Sequence, residues 1–197
     1  ANFKLYVDDA AYTTNTDGTN IYLAENLTAD SSVTDKTTIV EAEGVNNWGL
    51  TSSAIVDKTV KTIDMSGSSA EFILVGSAST ANTITGGSTS NYLNGGGASK
   101  DVLNGVTGAV DNFYYGKNDG NDTLINVGAE DTVVLYDIAS TDLAAAPTVK
   151  DDKTVIMLNN DSKLTIMGGI DGVTFQLTDG AYKYDSSADE KWVKQNV

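Results

Sequence analysis

The chain has 197 residues, enough for one large domain or two small ones with a real core, and carries a formal charge of −15 from 27 acidic and 12 basic residues. All twelve basic residues are lysines, and Arg, His and Cys are absent. Such a surface repels nucleic acid and anionic membranes, and the composition excludes disulfide frameworks, thiolate zinc sites, Cys nucleophiles and His-based triads.

Of the acids, 21 are Asp and six are Glu, a bias toward turns and oxygen-ligand loops rather than helix faces. No run approaches the roughly 20 apolar residues that a membrane span requires, so no membrane insertion is expected. The chain begins at Ala1 without Met, which points to a processed product or an excised piece. Its wealth of Thr, Ser, Asn, Asp and Gly matches the composition of secreted bacterial surface proteins.

In chain order, residues 1–60 hold alternating runs, "NFKLYV", "NIYLAE", "TTIVEAE" and "SSAIV". In the first, Phe3, Leu5 and Val7 share one face and Lys4 and Tyr6 the other, the period-two pattern of a half-buried strand. Glu41 and Glu43 also share a face. Paired carboxylates can cleave glycosides, but a solvated strand face is the commoner meaning. These runs predict an antiparallel meander.

Residues 61–137 differ. Apolar anchors recur at Ile63, Ile73, Ile84, Leu93, Leu103, Phe113, Leu124 and Val134, with Gly or Ser between them. Spacings of nine to eleven residues mean one short strand and one turn per unit. Strands that short make no core alone and must stack, each anchor resting on the next, into a solenoid.

Residues 138–197 return to hairpin chemistry: "KTVIML", "KLTIM", "VTFQL" and "AYKY", with "NNDS" and "TDG" as turns and Asp179-Gly180 suited to positive φ. Two weak helix candidates are "STDLAAA", stopped by Pro147, and "SADEKWVKQ". The prediction is an all-β single domain, a central parallel β-roll or β-solenoid flanked by antiparallel strands.

The rhythm carries a family resemblance. Gly86, Gly87, Asn91 and Leu93 form one unit; Gly96, Gly97, Asp101 and Leu103 the next, after an extra Gly95; Gly105, Gly108, Asp111 and Phe113 a third. Gly76, Asn82 and Ile84 make a poorer earlier unit. The pattern resembles the RTX or haemolysin-type nonapeptide repeat, Gly-Gly-x-Gly-x-Asp-x-apolar-x, of proteins exported by bacterial type I secretion. "YGKNDGNDTLINVGAEDTVVLYDI" and "LTIMGGIDGVTFQLTDGAYKY" are similar to the segments that follow such repeats. The likeness spans residues 60–185.

That resemblance implies a parallel β-roll whose glycine turns and acidic side chains hold calcium, which takes six to eight oxygens. The implied ligands are Asp101, Asp111, Asp119, Asp122 and Asn91. Successive turns alternate sides, so Asp101 is expected beside Asn82 and Asp122, and Asp111 beside Asn91 and Asp131. Asn82 and Asn91 replace the family's Asp and weaken any site. The residues leave three readings open: ligands, turn formers bonded to local backbone, or a ladder without metal held by Asn side chains and apolar stacking.

Nothing else in the chain carries catalysis. No EF-hand spacing occurs, "GASK" lies in a glycine-rich turn instead of a helix, and a strand lysine such as Lys4 or Lys163 is usually exposed rather than joined in an isopeptide bond. Trp48, Trp192, Tyr114 and Tyr115 suit core filling or subunit contact better than a sugar platform. The expected function is that of a non-enzymatic extracellular protein, a self-assembling subunit of a bacterial surface layer or filament stabilised by calcium. Strand pairing would join copies through the face bearing Phe3, Leu5 and Val7. The alternative is a calcium-binding folding and secretion module of a larger secreted enzyme, toxin or adhesin.

Overall fold

A computed structural model describes residues 60–196, except 70, 98, 99, 144, 145, 160, 161, 189 and 190; before residue 60 it describes the backbone of the strands alone. The strands are β1 (Lys4–Val7), β2 (Ala10–Thr13), β3 (Ile21–Tyr22), β4 (Asn26–Ala29), β5 (Thr38–Ala42), β6 (Ala54–Val56) and β7 (Thr62–Asp64). They continue as β8 (Phe72–Val75), β9 (Thr83–Thr85), β10 (Asn91–Asn94), β11 (Val102–Asn104), β12 (Asp111–Tyr115), β13 (Asn121–Ile125) and β14 (Thr132–Leu135). The last are β15 (Thr148–Lys150), β16 (Lys153–Met157), β17 (Lys163–Met167), β18 (Thr174–Leu177), β19 (Gly180–Tyr184) and β20 (Trp192–Lys194).

From β7 to β14 the chain visits two sheets in turn. One runs β15-β16-β17-β13-β11-β9-β7-β4-β1-β2 and the other β20-β19-β18-β14-β12-β10-β8-β5-β6-β3. Every pairing between β7 and β14 is parallel, which a chain can achieve with three- to five-residue strands only by coiling. The fold is all-β: a parallel β-solenoid with antiparallel strands flanking it. Among the described residues no helix is long and apolar enough to cross a membrane.

The anchors explain the coil. Ile63, Ile84, Leu103 and Leu124 lie in register on one sheet, all at most 1% exposed. On the other sheet the row is Leu74, Leu93, Phe113, Val133 and Phe175, also fully buried. Two expected anchors are therefore displaced by one residue. Ile73 and Val134 face outward, and Leu74 and Val133 take their places. In a run such as Phe72–Val75 both parities are apolar, so alternation alone cannot choose the inward face.

The flanking zones are less purely antiparallel than their sequences suggest. β17 pairs β13 and β18 pairs β14, both parallel, so the solenoid resumes after the β15–β16 excursion and runs on to Leu177. The β16–β17 and β18–β19 hairpins are antiparallel as expected, and Gly180 takes the positive φ, 142°. At the other end β4 and β5 join the solenoid in parallel, leaving β1–β2 and β1–β4 antiparallel.

Among the described residues neither helix candidate forms an α-helix. In the first, Ser140–Asp142 make a 3-10 turn and Leu143 then turns back to bridge Leu158. The C-terminal candidate instead becomes β20, whose Trp192 packs edge-on against Phe175 at 5.0 Å and Tyr184 at 5.8 Å. Trp192 thus covers the end of the core, as core filling predicts.

Candidate functional site

At the start of each strand from β9 to β14 stands a buried polar residue. Asn82, Asp101 and Asp131 lie just before β9, β11 and β14, Asn91 and Asp111 open β10 and β12, and Asp122 is the second residue of β13. All six are 0–2% exposed. Burial of four carboxylates and two amides in a chain this small is tolerable only if each finds partners.

The partners come chiefly from the neighbouring coil. Asp101 Oδ1 accepts the Asn82 backbone N–H at 2.7 Å, and Asp122 Oδ1 accepts that of Asp101 at 2.9 Å. On the other column Asp111 Oδ1 accepts the Asn91 N–H at 3.0 Å, and Asp131 Oδ1 that of Asp111 at 2.8 Å. Alternate turns thus stack as two columns, with the neighbours implied by the repeat spacing.

The second oxygen separates the columns. Asp111 Oδ2 accepts from the Val106 N–H and Asp131 Oδ2 from that of Gly128, both at 2.7 Å, closing their own turns. Asn91 does the same through Gly87 at 2.9 Å, and its amide also donates to the Gly87 and Thr89 carbonyls. On the Asp101 column, Asn82 Oδ1 accepts from Ser77, but Asp101 Oδ2 is buried with no partner. In the next turn the closing bond is taken by Asp119, which accepts from the Gly116 N–H at 2.7 Å and the Tyr136 hydroxyl at 2.9 Å.

The glycines fit this frame sterically. A Cβ on Gly86 would stand 2.6 Å from Asn91 Cγ, and one on Gly105 2.6 Å from Asp111 Oδ2; at Gly95 the obstacle is Asp101 Oδ2. These glycines have ordinary φ and are needed because the ladder side chain occupies their Cβ space. Other repeat glycines, Gly96, Gly97 and Gly108, take the left-handed region instead, at φ 95°, 121° and 84°.

Electrostatics follow the same division. Burial pushes Asp101 up to about 7 and Asp122 to about 8. Asp119 repels both, and Asp122 also feels Asp101. Burial raises Asp119, Asp111 and Asp131 as well, with Glu130 adding repulsion on the Asp111 side. No group of three acidic side chains among the described residues is drawn together closely enough to grip a metal by itself. Asp101 and Asp122 are repelled by Asp119 and Asp122 by Asp101, and Asp101 Oδ2 is a buried oxygen without a donor among the described residues. Asp111 and Asn91 already accept backbone N–H groups, as Asp119 does from Gly116.

Of the expected assembly residues, Leu5 and Val7 lie in β1, whose two edges are already paired with β2 and β4. Phe3 lies outside the described residues. Among the described strands β2 ends that sheet, and no described strand pairs with its outer edge. Sequence reasoning missed Ser77 and Val106 as ladder members, because backbone donors leave no sequence signal; Asp131 stands beside Asp111 as the in-register distance implied. Compared with known proteins, the chain matches no family model and no curated protein.

Proposed function

We propose that the protein is a non-enzymatic extracellular structural protein, a self-assembling subunit of a bacterial surface layer or filament. The observation that carries this reading is the pair of open ends. The sheets terminate in β15 and β20 at one end and in β2 and β3 at the other, and no described strand pairs with their outer edges. Such edges recruit further strands unless covered, and opposite ends of one solenoid offer a head-to-tail contact that repeats without closing.

Calcium is the proposed stabiliser, in keeping with the resemblance to RTX repeats. Asp101, Asp119 and Asp122 would hold it, drawn together around a positive charge that the chain itself does not place there. Light scattering and electron microscopy, with calcium and with chelator, test the proposal. Polymers or sheets in calcium that shrink on chelation are expected, as is their weakening when β2 and the residues before it are deleted. A strict monomer in calcium at high concentration would refute it.

A second reading, the folding and secretion module of a larger secreted enzyme, toxin or adhesin, draws on the buried carboxylates. A core that folds poorly until a cation arrives suits a chain that folds only after export. Monomeric protein whose folding nonetheless requires calcium would favour it.

A further inference from the structure

The outer face of the first sheet carries a groove of about 430 Å³ in which Lys100, Lys153 and Lys163 meet, three of only twelve lysines in a chain of charge −15. All three are exposed. Elsewhere lysines hold partners: Lys117 pairs with Asp142 and Lys150 with Asp151, while Lys191 and Lys194 donate to the Ser186 and Asp179 carbonyls. Among the described residues the three groove ammonium groups have none. The acid at the groove, Asp101, is 1% exposed and turns its carboxylate inward to the Asn82 N–H.

Strand register spaces the charges. Lys163 stands opposite Asn121, and Lys100 falls in the same row, two residues before Val102 as Asn121 is before Thr123. Two strand spacings, ~10 Å, separate Lys100 from Lys163. Lys153 lies opposite Met167, which is four residues further along β17 than Lys163, so it stands ~13 Å along the strands and one strand over. Between the lysines the floor is neutral. Asn121, Thr123 and Thr165 offer an amide and two hydroxyls, and Val102 and Met167 offer apolar patches. The exposed Glu130 lines the next groove, past Met167, and ends the positive stretch there.

We propose that this groove binds a short stretch of an acidic polysaccharide, its carboxylates meeting the three lysines and its sugar rings lying over the neutral floor. The inference stands apart from the self-assembly reading and from any cation site. Charge complementarity selects an anion: three exposed ammonium groups that no acid answers set up a local field opposite to that of the chain as a whole. Spread over ~20 Å by strand spacing and rise, they suit charges carried at intervals along an extended chain better than one compact anion. The floor selects a sugar, because its hydroxyls and amide match sugar hydroxyls while Val102 and Met167 take the apolar faces of the rings. Nucleic acid is the poorer occupant. No aromatic side chain lines the groove to stack a base, and the chain has no arginine to fork onto phosphate.

The probe is a hexamer of galacturonic acid, titrated by calorimetry onto the full chain in chelator. The titration is run at about 0.15 M salt, where a Debye length of about 8 Å screens the chain's remaining charge and spares contacts inside the groove. Binding is expected, and none to the methyl-esterified hexamer, which keeps the sugars and loses the charge. Lys153→Gln and Lys163→Gln should each weaken binding about threefold, and the two together about tenfold. Lys183→Gln with Lys191→Gln removes the same charge from the second sheet and its border and should leave binding unchanged. Circular dichroism checks that every variant is folded. A wild type that does not bind overturns the proposal, and so does equal weakening by the second pair, the mark of a general charge effect. Equal capture of the esterified hexamer, of inorganic sulfate or of a single-stranded DNA hexamer overturns it as well, since the groove would then read no acidic sugar.

Discussion

Two parts of one solenoid solve the same problem with different chemistry. The earlier rungs, Asn82 and Asn91, are neutral amides; the later rungs, Asp101, Asp111, Asp122 and Asp131, are carboxylates. Asn91 accepts the Gly87 N–H, as Asp111 accepts that of Val106. The amide also donates: Asn91 to Gly87, Thr89 and Asp111, and Asn82 to the Val60 carbonyl at 2.5 Å. A carboxylate cannot donate, so where the chain supplies too few donors, as at Asp101 Oδ2, the positive end that Asn brings with it must come from outside, as a proton or a cation. The neutral rungs are complete in themselves, whereas Asp101 depends on its solution.

Converting a rung of the first kind into the second is expected to have the largest effect. Asn91→Asp removes the donors to Gly87 and Thr89 and sets a second carboxylate against Asp111, where Asn91 Nδ2 now stands 2.8 Å from Oδ1. A loss of about 4 kcal/mol is expected in chelator at pH 8, from buried acceptors left without donors and one uncompensated charge; urea unfolding measures it. Next comes the frame the two kinds of rung share. Gly86→Ala and Gly105→Ala each drive a methyl into a ladder side chain at 2.6 Å, Asn91 in one case and Asp111 in the other. Losses of about 3 kcal/mol, equal within error, are expected from overpacking plus a broken turn bond. A much smaller loss at one site would mean that its rung can move aside.

pH separates the rungs without mutation. Asp101 and Asp122 titrate near 7 and 8 in the folded chain, above the ordinary Asp value of 3.8. The folded state therefore binds more protons than the unfolded one between about pH 4 and 8. Their contribution to stability is fully present below the unfolded value and is lost as pH rises through the folded values. Without calcium, unfolding free energy should fall by about 3 kcal/mol from pH 4.5 to pH 9, allowing for solvent near the ladder. Asn82 and Asn91 contribute nothing to this slope. Stability that rises with pH in chelator would contradict the raised values.

Much of this fold was legible. The nine- to eleven-residue rhythm gave the coil, because a unit that short can bury its apolar residue only against its neighbours. Asp101 and Asp111 were legible for the same reason, since a repeat in register returns equivalent residues to one column. Parity was not legible where both faces were apolar, as at Ile73 and Val134. The return of β17 and β18 to the solenoid was also hidden. The intervening β15–β16 excursion breaks the rhythm, and a strand's own residues do not say whether its partner runs parallel. The difference between Asp101 and Asp111 lay in which backbone N–H points at the second oxygen. That depends on turn geometry: Gly96 turns its N–H to Asn94 rather than to Asp101.

The converse substitution, Asp101→Asn, should have the smallest effect and the most informative sign. The site accepts the Asn82 N–H through Oδ1, a bond an amide oxygen keeps, and its Oδ2 has no partner to lose. An NH2 group at Oδ2 supplies the missing positive end, as it does in Asn82 and Asn91. In chelator at pH 8 the variant should be more stable by about 2 kcal/mol, roughly half of what the full rise to about 7 implies once solvent screening is allowed for. It should also lose part of the pH slope. If calcium binds between Asp101, Asp119 and Asp122, the sign reverses in calcium, because the wild type then gains binding energy that the neutral variant largely forgoes. The two melting curves, one with calcium and one with chelator, therefore cross for a calcium site. They keep the same order for a ladder that works without metal. Destabilisation in chelator would show instead that the charge of Asp101 is already compensated within the chain.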